Sequence, residues 1–147
     1  MKKILVLGGA AALMVGVSSG AHAQSSKAMK PMHLMTTLSG MGEKPHGDMH
    51  GTGSATVTLY PATHKVCYSI TVKGLMGKSL AAHIHKGKAG VSGPVVVMLK
   101  APGMNGKSSG CTMAPAMVFK AMSMSPKSYY VNVHTKEYSN GAVRGQL

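Results

Sequence analysis

The sequence predicts an all-β domain, an antiparallel Greek-key-like sandwich or barrel, on three observations. Short segments alternate apolar and polar residues with a period of two, the pattern of a half-buried strand. Turn-forming residues separate those segments at short intervals. No long stretch carries the periodicity of an amphipathic helix.

Taken in order, the chain opens on a processing signal. Lys2 and Lys3 precede the apolar run from Ile4 to Val17, and Ala21-His22-Ala23 is a small-x-small cleavage site. The run is short for a bilayer span. Cleavage after Ala23 is therefore expected, which makes residues 1–23 a secretory signal peptide. It implies a periplasmic or secreted protein with no transmembrane segment after cleavage. Residues 24–33 read as a flexible Met/His-containing arm, because Ser25, Ser26, Lys27 and Lys30 offer nothing to pack. Residues 34–147 then suffice for one small domain.

Within that domain Ala55, Val57 and Leu59 share one face of a strand over 53–60. Pro61-Ala62-Thr63-His64 makes a hairpin connection to a second strand over 65–73. There Val66, Tyr68, Ile70 and Val72 face inward, which turns Cys67 to the opposite face. A third strand over 80–85 carries His83-Ile84-His85. After a glycine-punctuated loop, 94–100 is apolar on both faces, as an interior strand would be. Residues 101–110 read as a loop that delivers Cys111, and 112–119 could be strand or short helix. Pro126 breaks any helix there. The clearest late strand is 129–135, and 142–147 closes the domain.

Composition narrows the function. Without Lys2 and Lys3 the chain keeps 14 basic residues against Glu43, Asp48 and Glu137, a net charge of +11. That excess favours anionic partners, such as a cell-surface polymer or an acidic protein. Nucleic acid is not expected, because the lysines are scattered and Arg144 is the single arginine. So few acids leave little room for a catalytic carboxylate pair, and no catalytic residue stands out. Cys67 and Cys111 are the two cysteines, and an even count in an exported chain predicts a disulfide. Closing that loop would stabilise the fold by about 4 kcal/mol in the chain-entropy model.

The chemistry-bearing residues are histidine and methionine. In a strand His83 and His85 share a face, while Ile84 and Ala82 share the other, so the imidazoles stand outside the core. On the late strand Val131 and Val133 should be inward, leaving His134 outward as well. If the two strands are neighbours, three imidazoles converge at metal-binding distance. His50, beside Met49 in a Gly-rich loop, is the candidate fourth ligand. Met29, Met32 and Met35 offer soft thioethers for copper(I), although Met35, near the first strand, is expected rather to pack. Against all of these stands a simpler account, in which the histidines bond loop carbonyls and methionine merely replaces leucine.

Two resemblances bear on this. The run from His83-Ile84-His85 through Gly93-Pro94-Val95-Val96-Val97, with Tyr130-Val131-Asn132-Val133-His134-Thr135 and Gly141-Ala142-Val143-Arg144-Gly145-Gln146-Leu147, resembles the CHRD domain, the module named for chordin. Leu38-Ser39-Gly40, Glu43 and Pro45 match its opening segment, so the likeness covers about 34–147. The chain departs at Ala142, where the family usually has an acid, and around Lys44, where a double proline is common. The resemblance implies a β-sandwich in secreted or cell-surface proteins, with no settled activity. His83-Ile84-His85 and Val131-Asn132-Val133-His134 are also similar to the copper-binding strands of copper–zinc superoxide dismutase. The bridging histidine and the zinc loop of that enzyme have no counterpart here.

Three readings follow. The first is an exported protein that binds copper, or another transition metal, through His83, His85 and His134 as carrier or buffer. The second is a metal-free module that binds a protein or an anionic surface polymer. The third is a dismutase-like copper enzyme with Arg144 near its site.

Overall fold

The computed structural model describes residues 29–147. The expected signal peptide, the cleavage site and residues 24–28 of the arm lie outside them. The described chain is all-β apart from one short helix, and its eight strands form a single antiparallel sheet that curls into a nearly closed barrel. They are β1 (Met32–Ser39), β2 (Thr52–Tyr60), β3 (Lys65–Lys73), β4 (Ser79–Lys86), β5 (Val95–Leu99), β6 (Lys107–Met113), β7 (Tyr129–Thr135) and β8 (Val143–Gln146), with helix α1 (Ala116–Met124) between β6 and β7. The order across the sheet is β5-β4-β7-β8-β1-β2-β3-β6. No helix among the described residues is long and apolar enough to cross a membrane.

The alternation read from the sequence sets the core. Val57, Leu59, Val66, Ile70, Ile84, Val131 and Val133 are all buried. Each is a β-branched or leucine side chain on the inner face of its strand, where burial stabilises by about 1.5–3 kcal/mol apiece. Tyr68, also inward, lies across Gly110 of β6, and its hydroxyl accepts from the Lys100 amide at 2.7 Å. That bond bridges the seam between the edge strands β5 and β6.

Four expectations are revised. The apolar run over 95–99, expected inside the sheet, forms the edge strand β5 with Val95 and Met98 exposed. Met32 and His33 belong to β1 rather than to a flexible arm. The stretch over 101–110 is only partly loop, because β6 begins at Lys107 and holds Cys111 directly opposite Cys67. The two are joined, with Cα atoms 3.9 Å apart, so the disulfide rivets edge strand β6 to β3. The ambiguous stretch over 112–119 is both elements: strand to Met113, then the start of α1, which drives Phe119 and Met122 into the barrel. Periodicity could not separate them because Pro115 divides them inside one apolar run.

Methionine does not replace leucine in this core. Of the twelve methionines among the described residues, eleven are exposed and only Met122 is buried.

Candidate metal centre

The adjacency that the sequence left open is present. β4 and β7 pair antiparallel, with His83 opposite Asn132, His85 opposite Tyr130 and Ala81 opposite His134. All the side chains named for these two strands, apart from Ala81, carry polar atoms and share the outer face, while Ala82, Ile84, Val131 and Val133 fill the inner one. One ring nitrogen each from His83, His85 and His134 lies within 4.8 Å of the other two. Among the described residues this is the group of His, Cys, Asp and Glu side chains arranged to hold an ion.

Hydrogen bonds decide which nitrogen each ring offers. His85 Nδ1 lies 2.8 Å from the Gly93 carbonyl and His134 Nδ1 lies 2.9 Å from the Ser139 carbonyl. A carbonyl only accepts, so both Nδ1 atoms carry a proton, and in the neutral ring Nε2 keeps the lone pair. Such a bond also fixes the ring plane, as partners of metal-binding histidines commonly do. His134 Nε2 faces His83 Nδ1 at 3.1 Å. In the metal-free protein His83 Nδ1–H donates to it. Two nitrogens sharing a tetrahedral ion at bond lengths of about 2.0–2.1 Å stand about 3.3–3.4 Å apart, so this pair needs little movement to become a chelate. His85 Nε2 is buried with no hydrogen-bond partner among the described residues.

Burial favours the neutral form at two of the rings. Burial, with His134 and then His85 close by, pushes His83 from 6.5 down to about 4. Burial also lowers His134, only partly offset by the Ser139 carbonyl, and the neighbouring His85 lowers it further. Neutral imidazoles are the ligand form, so protons are poor competitors here at physiological pH.

The outer face is not the open surface expected from alternation. Two loops cover it. Over 87–93 the chain is tied down by Arg144, which donates to the Val91 carbonyl at 3.0 Å and the Lys88 carbonyl at 2.8 Å. The Gln146 amide nitrogen lies 2.8 Å from the Gly87 carbonyl. A side chain at Gly93 would run into the Lys86 carbonyl, so only glycine lets this loop fold back onto His85. Tyr130 stands between β4 and β8: His85 stacks on its ring at 4.9 Å, and the Arg144 guanidinium lies 3.3 Å from the ring centre. His85 is thereby only 8 % exposed, rather than standing free of the fold.

The second loop, over 40–48, buries Glu43 and Asp48. Glu43 sits against Gly141 and beside Asn132, the neighbour of His83. Burial raises its carboxyl from 4.5 to about 7, against the opposing pull of Asn132 and Arg144. Ser92 joins the two loops through a 2.9 Å hydrogen bond to the Lys44 carbonyl.

The remaining candidates fall elsewhere. Met49 and His50 are exposed in the turn before β2, where the His50 amide donates to Asp48, and His50 is not part of the three-ring group. Met32 and Met35 lie on opposite faces of β1, and Met35 is exposed rather than packed; Met29 precedes the strand. Arg144 is buried, with its donors turned to Lys88, Val91 and Gln146, so it is not free to steer an anion as the dismutase reading requires. One residue escaped the sequence reading. Met98 of β5 is the cross-strand partner of His83 and is exposed on the same face. Its signal was its alternate position in the apolar run over 95–99, where methionine passed for core.

No curated protein and no solved structure matches this chain. A family model does match, that of the CHRD domain, over residues 34–147. Those residues hold all of the barrel except the first two residues of β1, and all three histidines, and the chain belongs to the CHRD domain family.

Proposed function

We propose that this chain is an exported CHRD module, periplasmic or secreted, that holds copper or another transition metal at His83, His85 and His134 as a carrier or buffer. The observation that carries it is the pair of carbonyl-fixed rings, His85 and His134, each with Nε2 left free and each with a ring nitrogen within 4.8 Å of the others and of His83. Pinning the loop explains the His85–Gly93 bond without a metal. It does not explain the buried, unpartnered Nε2 of His85, which costs about 1–3 kcal/mol if left so. A metal ion satisfies that atom and both others together. Imidazole suits copper(II) and zinc alike, and copper is favoured by the many exposed thioethers. Export is supported by the basic-apolar-small opening of the chain and by the Cys67–Cys111 disulfide, a bond of oxidising compartments.

A competition titration of the purified protein with copper(II) at neutral pH tests the proposal. About one equivalent should bind, and alanine at His83, His85 or His134 should each lower the affinity at least about tenfold; His64→Ala should not. If the parent takes up no copper(II) or zinc, the histidines serve the loop alone. The chain is then a metal-free module that meets an anionic polymer or protein through its basic surface.

A further inference from the structure

A groove of about 810 Å³ opens where the start of β1, the β2–β3 hairpin and α1 meet, away from the three histidines. Met29, Met32, Met117 and Met124 line it, with His64 and Phe119. We propose that it is a second metal site, for a soft monovalent cation of the copper(I) class.

Packing does not account for these side chains. α1 turns Phe119 and Met122 inward, so Met117 and Met124, two turns apart on another face, are left 86 % and 73 % exposed. Leucine, glutamine or lysine would serve a solvent-facing helix as well, and methionine adds only its thioether. Opposite them Met32 begins β1, and Met29, just before it, lines the same groove. His64 completes the set under an unusual condition. It has φ 52°, the one non-glycine residue among those described with a positive φ, at a hairpin position that suits glycine or asparagine. Its ring lies 5.2 Å from that of Phe119, at the groove wall.

Four neutral thioethers and an imidazole are a soft donor set. They polarise toward a d¹⁰ monovalent ion and attract hard divalent ions poorly. Lys30 and Lys120, which also line the groove, disfavour a multiply charged ion further. Thioethers do not titrate, so the four sulfur donors should keep hold of the ion in acid that strips the three-histidine site.

Silver(I), a redox-inert probe of the same class, provides the test. Titrate it into protein carrying ¹³C-labelled methionine methyls and follow each methyl signal. The groove methyls of Met29, Met32, Met117 and Met124 should move first and together, at pH 7 and again at pH 5. Met35 and Met104 should stay still, and Met98 reports separately on the three-histidine site. The Met32→Leu/Met117→Leu variant and His64→Asn, which tolerates the same backbone, should each weaken silver binding at least about tenfold, leaving copper(II) uptake unchanged. His83→Ala should do the reverse. If all exposed methionines shift in parallel, or the groove methyls lag behind the rest, the groove is not a site. That result is independent of whether the three histidines bind copper(II).

Discussion

The two faces of the sheet formed by β4, β7 and β8 are both largely covered, by opposite means. Inward, Ile84, Val131, Val133 and Val143 exclude water by apolar packing. Outward, His85, Tyr130, Asn132 and Arg144 are as deeply covered, yet each side chain carries polar atoms and the cover is loop. The inner face gains most of its stability from area, which is non-directional and tolerant of exchange among similar residues. The outer face depends on each donor finding its carbonyl, and one missing partner is costly. Stability is general on one side and specific on the other, and the three-histidine cluster lies on the specific side.

The largest break should come from the inner face. Ile84→Ala removes a side chain with no exposed surface, and about 3 kcal/mol of unfolding free energy should go with it in a urea melt. Copper(II) stoichiometry of the folded fraction should not change, because Ile84 faces away from the rings.

Arg144→Met should cost about 2 kcal/mol, chiefly by orphaning the Lys88 and Val91 carbonyls. Unlike the core variant it should free the loop over 87–93, visible as faster proteolysis there and as weaker metal binding through His85.

Glu43→Gln should stabilise, and only at higher pH. The folded carboxyl titrates near 7 and the unfolded one near 4.5, so folding takes up a proton between those values. Stability therefore falls as pH rises through that window, and the loss is complete above it. Glutamine mimics the protonated form, so the variant should match the parent at pH 4.5. By pH 8 it should exceed it by roughly 1–2 kcal/mol, discounted for solvent screening. A stability difference independent of pH would show that Glu43 is not buried as a neutral acid.

The smallest effect should come from His83→Ala in the metal-free protein. His83 is half-buried and is lowered to about 4, so the unfolded state binds the extra proton below 6.5. The parent should lose stability as pH drops from 6.5 toward 4, and the variant should lose less. Near neutrality the two should melt almost together, whereas His85→Ala should be visibly destabilised because His85 packs on Tyr130 and ties Gly93.

This contrast also explains what could be read in advance. The inner face was legible because alternation is a local pattern: Val66, Tyr68, Ile70 and Val72 mark it within one segment. The sharing of a face by His83 and His85, and the outward placement of His134, were legible for the same reason. The pairing of β4 with β7 was not, since 51 residues separate His83 from His134 and only the closed sheet joins them. The burial of the outer face was hidden too. It depends on loops whose contacts are single bonds, Arg144 to Lys88 and Ser92 to Lys44, which leave no periodicity behind. Methionine misled in the opposite sense: at Met35 and Met98 an apolar residue in a strand suggested packing, and both are exposed.

The central claim is that loop carbonyls preset His85 and His134 as Nε2 ligands, with His83 offering Nδ1. Long-range ¹H–¹⁵N NMR of the histidine rings, before and after one equivalent of zinc as a diamagnetic stand-in, measures it directly. In the metal-free protein all three rings should be Nδ1–H tautomers. With metal, the Nε2 signals of His85 and His134 should shift, while His83 moves its proton to Nε2 and binds through Nδ1. A His83 ring that keeps its Nδ1 proton in the presence of metal, or Nε2–H tautomers at His85 and His134 beforehand, would contradict the account.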